Sequence, residues 1–348
     1  MKIKFAAGNP KKIYGFISNI NKNDKIALIS HIDLDGLTAA KITNEILNAK
    51  NIFFLDYSEL NEDLISKLKG LKINKVVFTD LNFSNPDIIK GIEKFADILI
   101  IDHHLITQDL NSDKTVFINV QGLCTGYLCY YFFSKIKNLD KWDWLVACSN
   151  VSDWLFMNNK KWLTKIYSKY NDKFNPDEIK KGKFWDLQHK LSLLIIYFRK
   201  DLLKAYSLIK ESISDLKIDS YANEIQNAID ELVKKFKKEK QKIYDGYFWE
   251  IKSKSGKKQY GLKQIGINKL SFDEPDKTFI IIVKSGKYYK ISSRRQDKKY
   301  NMAKLMQDLT KGYGVNAGGH VAAAGAVIYA KDLSKFKKRL KGYKYENN

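Results

Sequence analysis

Eight aspartates and histidines fall in four short segments of the 348-residue sequence. They are His31-Ile-Asp33-Leu-Asp35-Gly36, the Asp80 of Phe78-Thr79-Asp80, Asp102-His103-His104, and the Asp153 of Ser152-Asp153-Trp154. Carboxylates gathered without partners repel one another and raise their own pKa values. Divalent cations remove that repulsion, and a mixed imidazole and carboxylate set suits manganese-like ions. Two such ions about 3.5–4 Å apart would clamp the attacking and leaving oxygens of a phosphoryl transfer. Histidine usage points the same way. Of the five histidines, His31, His103 and His104 stand beside aspartates, and His320 follows Gly318-Gly319. Only His189 lacks a motif, and it reads as a structural residue.

Separate segments can act together only if the fold delivers them to one rim. Apolar runs at 25–30, 51–56, 75–80, 97–102 and 115–120 read as strands, with helical periodicity between the first four. Strands apolar on both faces and joined by helices make a parallel sheet covered on both sides, and their carboxyl ends open on one crevice. Residues 126–169 read as helical and hold Trp142, Trp144, Trp154 and Trp162, which the helical spacing assigns to the core. Residues 173–243 read as helical throughout, a connector or insertion. Strands are then expected at 247–253, 259–266, 278–284 and 287–293, with turns at Ser255-Gly256 and Ser285-Gly286. A helix at 301–311, a glycine-rich loop, a strand at 326–330 and a basic last helix follow. Lys284-Ser-Gly-Lys287 lacks the glycine spacing of a P-loop and reads as a hairpin turn. The expected organisation is α/β: a parallel-sheet domain with helices on both faces over 1–170, a helical connector over 171–245, and a smaller mixed-sheet α/β domain over 246–348.

Composition narrows the class. Four prolines and nineteen glycines exclude a collagenous or broadly disordered chain. Cys124, Cys129 and Cys148 are too few for a disulfide framework and lack zinc-site spacing, which fits a reducing compartment. The first residues lack the apolar stretch of a signal peptide and no run is long enough for a membrane span, so the expectation is a cytoplasmic protein that binds no membrane. The net charge is +22, and +16 of it lies in residues 251–348. A domain with that field attracts polyanions, phosphate backbones above all.

The four segments, in this order, resemble the four motifs of the DHH phosphoesterase superfamily. The stretch Gly318-Gly319-His320-Val-Ala-Ala-Ala324-Gly325-Ala326 is similar to the glycine–histidine signature of its DHHA1 domain. The group includes RecJ exonucleases, nanoRNases and cyclic dinucleotide phosphodiesterases. The resemblance implies that His31 and Asp33 hold one cation, that Asp35, His103 and Asp153 hold a second, and that Asp80 bridges them. It implies that Asp102 supports the histidine pair and that His104 faces the scissile phosphate or leaving group. The implied cofactors are two divalent cations, Mn2+ first and Mg2+ as the alternative. One departure is Leu81-Asn82-Phe83 after Asp80, where the family often has a small residue; it would narrow that side of the crevice.

Glycines let the backbone approach an anion and present its N–H groups, and His320 adds a donor. A guanidinium fork matches phosphate bidentately. A serine-x-arginine segment lies by the substrate in the family, so Ser293 with Arg294 or Arg295 joins Gly318, Gly319 and His320 as substrate-binding candidates. Tyr288, Tyr289 and Tyr300 are candidates for stacking on bases. The expected function is two-metal hydrolysis of single-stranded or short nucleic acid from an end. The alternatives are cyclic dinucleotide hydrolysis and a non-catalytic replication or repair scaffold. The expected partners are single-stranded RNA or DNA or short oligonucleotides, with a homodimer or a replication or repair partner also compatible.

Overall fold

Strands buried on both faces show no polar alternation, and the first five apolar runs obey that rule. The structure, a computed structural model, describes residues 3–83, 85–106, 108–251 and 262–344. The chain divides into two compact units, Met1–Ala222 and Asn223–Asn348.

In the first unit, α1 (Lys11–Ser18) precedes β1 (Ile26–His31), α2 (Leu34–Leu47), β2 (Asn51–Leu55) and α3 (Glu62–Gly70). Next come β3 (Lys75–Thr79), α4 (Asp87–Glu93), β4 (Asp97–Asp102) and β5 (Thr115–Asn119). The sheet order is β2-β1-β3-β4-β5, parallel throughout. Alternate residues of β1 feed two separate cores. Ile26 and Leu28 pack with Leu37 and Ala40 of α2, while Ala27 and Ile29 pack with Leu68 of α3 and Ile92 of α4. Each leucine or isoleucine among them, fully buried, contributes about 1.5–3 kcal/mol. Helices α5 (Thr125–Phe133), α6 (Asp143–Ser152), α7 (Lys160–Lys169), α8 (Lys183–Tyr197) and α9 (Leu202–Leu208) complete the first core. The division of the chain thus falls inside the expected connector, since Phe184, Leu191 and Leu194 of α8 are core residues of the first unit.

Helix α10 (Asp219–Glu239) runs through the division point and leads to β6 (Gln241–Ile243), a short strand inside the stretch expected to be helical. The second unit continues with β7 (Gly246–Ile251), α11 (Lys263–Asp273), β8 (Thr278–Ser285) and β9 (Tyr288–Arg294). It ends with α12 (Met302–Thr310), β10 (Gly314–Gly319), β11 (Ala323–Tyr329) and α13 (Leu333–Gly342). Its sheet, ordered β10-β11-β9-β8-β7-β6, is mixed: β7 and β8 are parallel and the other pairs antiparallel. The strand expected at 259–266 is a helix from Lys263 onward, because Ile267 and Leu270 bury one helical face. Residues 259–261 and the Ser255-Gly256 turn lie outside the described residues. The expected glycine-rich loop is β10 and a tight hairpin, in which His320 and Ala323 exchange backbone hydrogen bonds. Among the described residues no helix is long and apolar enough to cross a membrane.

Candidate functional site

The first motif is a strand end turning at once into a helix. His31 closes β1, and the Asp33 carboxylate caps α2 by accepting from the Gly36 N–H at 2.9 Å. A β-carbon at Gly36 would sit 2.3 Å from the His31 carbonyl oxygen, so the turn requires glycine. Asp35, one residue into α2, is fully buried. It accepts from the backbone N–H groups of Thr125 at 2.7 Å and Gly126 at 2.8 Å, and from the Ser149 hydroxyl. Thr125 and Gly126 open α5, so the positive ends of two helices face this acidic group.

Asp80 follows β3 with a left-handed backbone, φ 60°, which re-aims its side chain off the strand. Its Oδ1 accepts from the Thr125 hydroxyl at 3.1 Å. Its Oδ2 is buried and has no hydrogen-bond partner. His31 Nδ1 lies 2.8 Å from Asp33 Oδ2 and 3.8 Å from Asp80 Oδ2. On the other side, His103 Nε2 lies 3.4 Å from Asp80 Oδ1, 3.5 Å from Asp153 Oδ2 and 4.0 Å from Asp35 Oδ2. Burial, reinforced by the charges of Asp35, Asp33 and Asp153, pushes the Asp80 carboxyl well above its usual range. Burial with the same two neighbours, Asp35 and Asp33, pushes Asp153 up to about 10. Three sets of ligand atoms lie within 4.8 Å of one another: His31, Asp33 and Asp80; Asp35, His103 and Asp153; and Asp80, His103 and His104. An orphaned carboxylate oxygen between imidazoles and further carboxylates is the setting a divalent cation fits.

Asp102, buried at the end of β4, holds His104 twice: Oδ1 faces Nδ1 at 2.8 Å and Oδ2 accepts from the His104 N–H at 3.2 Å. Burial lowers the His104 pKa, but the Asp102 hydrogen bond and charge outweigh it, and the net shift is upward. Asn119 at the end of β5 braces both residues, donating to Asp102 Oδ2 at 3.3 Å and to the His104 carbonyl at 3.0 Å. The Tyr57 hydroxyl lies 3.1 Å from His104 Nε2. Leu81 and Phe83 do not stand free in the crevice. Both are buried, with Phe83 edge-on to Phe78 at 4.9 Å, and they turn into the core. Phe83 and Asn82 nevertheless wall a cavity of about 500 Å³ beside the site, together with Tyr57, Leu60, Ile88 and His104.

In the second unit, strand alternation sorts the candidates. Arg294 is half-buried, with Nε 2.7 Å from Asn268 Oδ1, and its face of β9 also carries Ser292. Ser293 is fully buried on the opposite face and donates to the Ala324 carbonyl at 3.2 Å, so it presents nothing to a ligand. Arg295 is 2% exposed, with Asp245 Oδ2 at 2.8 Å and Asp297 Oδ1 at 2.7 Å. Its guanidinium stacks on Tyr300 at 4.4 Å, so Arg295 and Tyr300 form a structural cluster and not a binding surface. Tyr289 packs against the core, its hydroxyl 3.5 Å from Glu250. Gly318 and Gly319 end β10, and His320 is exposed at the hairpin. Gly319 has φ 141°, and a β-carbon there would sit 2.5 Å from the Ala323 carbonyl oxygen, so this position requires glycine.

Sequence reasoning missed Tyr57, Asn119, Thr125, Ser149 and Ser292. Only Ser292 left a signal, its two-residue spacing from Arg294. Of the four tryptophans, Trp142 and Trp144 are buried, but Trp154 is 52% exposed and lies edge-on to Trp185 at 5.7 Å.

The DHH family N-terminal domain matches residues 25–148 and the DHHA1 domain matches residues 253–346. No curated protein matches the sequence. Among solved structures, the exonuclease RecJ bound to manganese aligns with a TM-score of 0.68 at 12% identity, over 99% of this chain and 95% of that one. CDC45 from Entamoeba histolytica aligns at 0.60 and 11% identity, over 96% of this chain and 98% of that one. The pGpG-specific phosphodiesterase PggH from Vibrio cholerae aligns at 0.54 and 12%, over 91% and 98%. At these identities the structural likeness speaks for the fold. The first match holds every rim carboxylate and histidine described above except Asp153, the second holds Ser292, Arg294 and Gly318–His320, and the chain belongs to the DHH/DHHA1 superfamily.

Proposed function

We propose that the protein is a phosphodiesterase that uses two divalent cations, Mn2+ or Mg2+, to hydrolyse single-stranded or short nucleic acid from an end. The observation that carries this reading is Asp80, whose buried Oδ2 has no partner and whose neighbours on both sides are histidine and aspartate. His31 and Asp33 would hold one cation, Asp35, His103 and Asp153 the other, and Asp80 would serve both. When bound, the pair neutralises charge on the phosphoryl oxygens and lowers the cost of the displacement. The chain's own groups do the rest. Thr125, Gly126 and Ser149 fix the Asp35 carboxylate from three directions. Asp102, facing Nδ1, favours the doubly protonated ring of His104, whose Nε2–H would pass its proton to the departing oxygen and leave a neutral imidazole. Arg294, Ser292 and the glycine strand end offer donors to a phosphate.

The test is incubation with Mn2+ and labelled RNA, DNA, linear dinucleotide and cyclic dinucleotide, with EDTA and Asp80→Ala as controls. Hydrolysis of linear strands that is lost in both controls is expected. Undiminished turnover in EDTA or in Asp80→Ala would overturn the metal assignment. Turnover confined to cyclic dinucleotide would replace the substrate.

A further inference from the structure

The sheet of the second unit is closed on one face, and among the described residues the other face, where α11 packs against β8 and β9, is partly open. Ile280, Ile291, Ala326 and Ile328 pack into the closed side with residues of α12 and α13. The alternate residues of β9 and β11 make the other face, and the register sets them in rungs. Arg294 lies beside Ala323, Ser292 beside Gly325, Lys290 beside Val327 and Tyr288 beside Tyr329. Gly318 of β10 extends the Gly325 rung, leaving a strip of bare backbone there. At the far end the Tyr288 and Tyr329 rings are 5.2 Å apart and tilted by 39°. Lys287 Nζ lies 5.3 Å from the first ring and Lys331 Nζ 5.8 Å from the second, and Lys290 is exposed between rings and arginine.

We infer that this face is a track for a single-stranded oligonucleotide longer than a dinucleotide. The track rests on the phosphodiesterase reading and names its substrate class. A phosphate sits at the Arg294, Ser292 and glycine rungs, and bases beyond it stack on Tyr288 and Tyr329. Arg294 and Tyr288 are six residues apart along β9, about 20 Å at the usual strand rise. That separation places the rings beyond the nucleotide held at the arginine. Charge complementarity selects the occupant. The four rungs carry arginine and lysine and no carboxylate, as a phosphate backbone needs, and the partly exposed Tyr288 and exposed Tyr329 rings beside cations accept any base.

The experiment is fluorescence anisotropy of labelled two-, five- and twenty-nucleotide RNA and DNA in EDTA, so that nothing is cut. The variants are Tyr288→Ala/Tyr329→Ala, Tyr288→Phe/Tyr329→Phe and Lys290→Gln. Wild type should bind longer strands more tightly. The double alanine variant should lower the ratio of twenty-mer to dinucleotide affinity by about tenfold or more, and the phenylalanine pair should restore it. Lys290→Gln should reduce the logarithmic salt slope by about 0.7. If the double alanine variant does not fold, Tyr329→Ala alone, at a ring 41% exposed, makes the same measurement. A ratio unmoved by alanine, or lowered equally by phenylalanine, overturns the track. So does a wild-type dimer that the alanine pair dissociates without changing the ratio, which would make the face an interface between copies. Failure of the track leaves Mn2+-dependent hydrolysis intact, whereas failure of the phosphodiesterase reading leaves length-dependent binding without cleavage.

Discussion

Two acidic regions of the first unit treat their carboxylates in opposite ways. Near the end of α2, Glu45 is surrounded by donors: Lys137 Nζ at 2.6 Å, Lys141 Nζ at 3.1 Å and the Trp142 indole N–H at 3.1 Å. Burial works against the charged form, but these three contacts outweigh it and bring Glu45 down to about 2. At the sheet rim, Asp80 and Asp153 are more deeply buried among like charges and are driven up instead. The same chain can supply lysines to an acidic group and at the rim does not. The contrast separates a carboxylate completed by folding from carboxylates that folding leaves uncompensated, as the proposed cations would require.

The largest effect that would break this contrast belongs to Asp80. Without a cation, burial and the neighbouring carboxylates push its carboxyl toward the neutral form, so Asp80→Asn should unfold at nearly the wild-type temperature in EDTA. Mn2+ at about a hundredfold over its dissociation constant should raise the wild-type melting temperature by several degrees. That rise should be absent in Asp80→Asn, along with hydrolysis. A full Mn2+ shift in the variant would mean that Asp80 is a structural acid like Glu45. A smaller effect is expected one step away from the reacting groups. Ser149→Ala removes one of the three donors to Asp35, and losses of about 10–100-fold in Mn2+ affinity or activity are usual for such supporting hydrogen bonds. Titration of Mn2+ by calorimetry measures it, and an unchanged isotherm would show that the two backbone N–H groups suffice.

These regions differ in how far the sequence discloses them. His31, Asp33, Asp80, Asp102, His103 and Asp153 are legible because each sits at or just beyond a strand or helix end, in short motifs. The five parallel strands are legible for the same local reason, apolar runs of matching length. What supports the site is not local. Ser149 reaches Asp35 across 114 positions and Thr125 reaches Asp80 across 45, and nothing in the sequence couples them. In the second unit the missing information is register. Adjacent Ser292 and Ser293, or Arg294 and Arg295, are chemically alike, and only the face of β9 decides which is a donor to solvent and which is buried. β10 escaped because Gly-Val-Asn-Ala-Gly-Gly carries almost no apolar pattern; its pairing with β11 makes it a strand.

Glu45→Gln gives the smallest effect and the sharpest control. A carboxylate whose folded pKa is depressed stabilises the fold above its unfolded value, near 4.5, and that contribution is lost as pH falls toward 2. The glutamine keeps the shape and gives up the charge, so the variant should be less stable than wild type at neutral pH. The deficit should be about 1 kcal/mol, as for a charge-assisted pair that is partly open to water. Denaturant unfolding of the two proteins over a pH series should show curves that are separated above pH 4.5 and converge toward pH 2. Because Glu45 already has its cations from the protein, Mn2+ should raise the melting temperature of Glu45→Gln by the wild-type amount. A separation that persists unchanged to pH 2, or a weakened Mn2+ response, would place Glu45 in the same class as Asp80 and remove the contrast between the two regions.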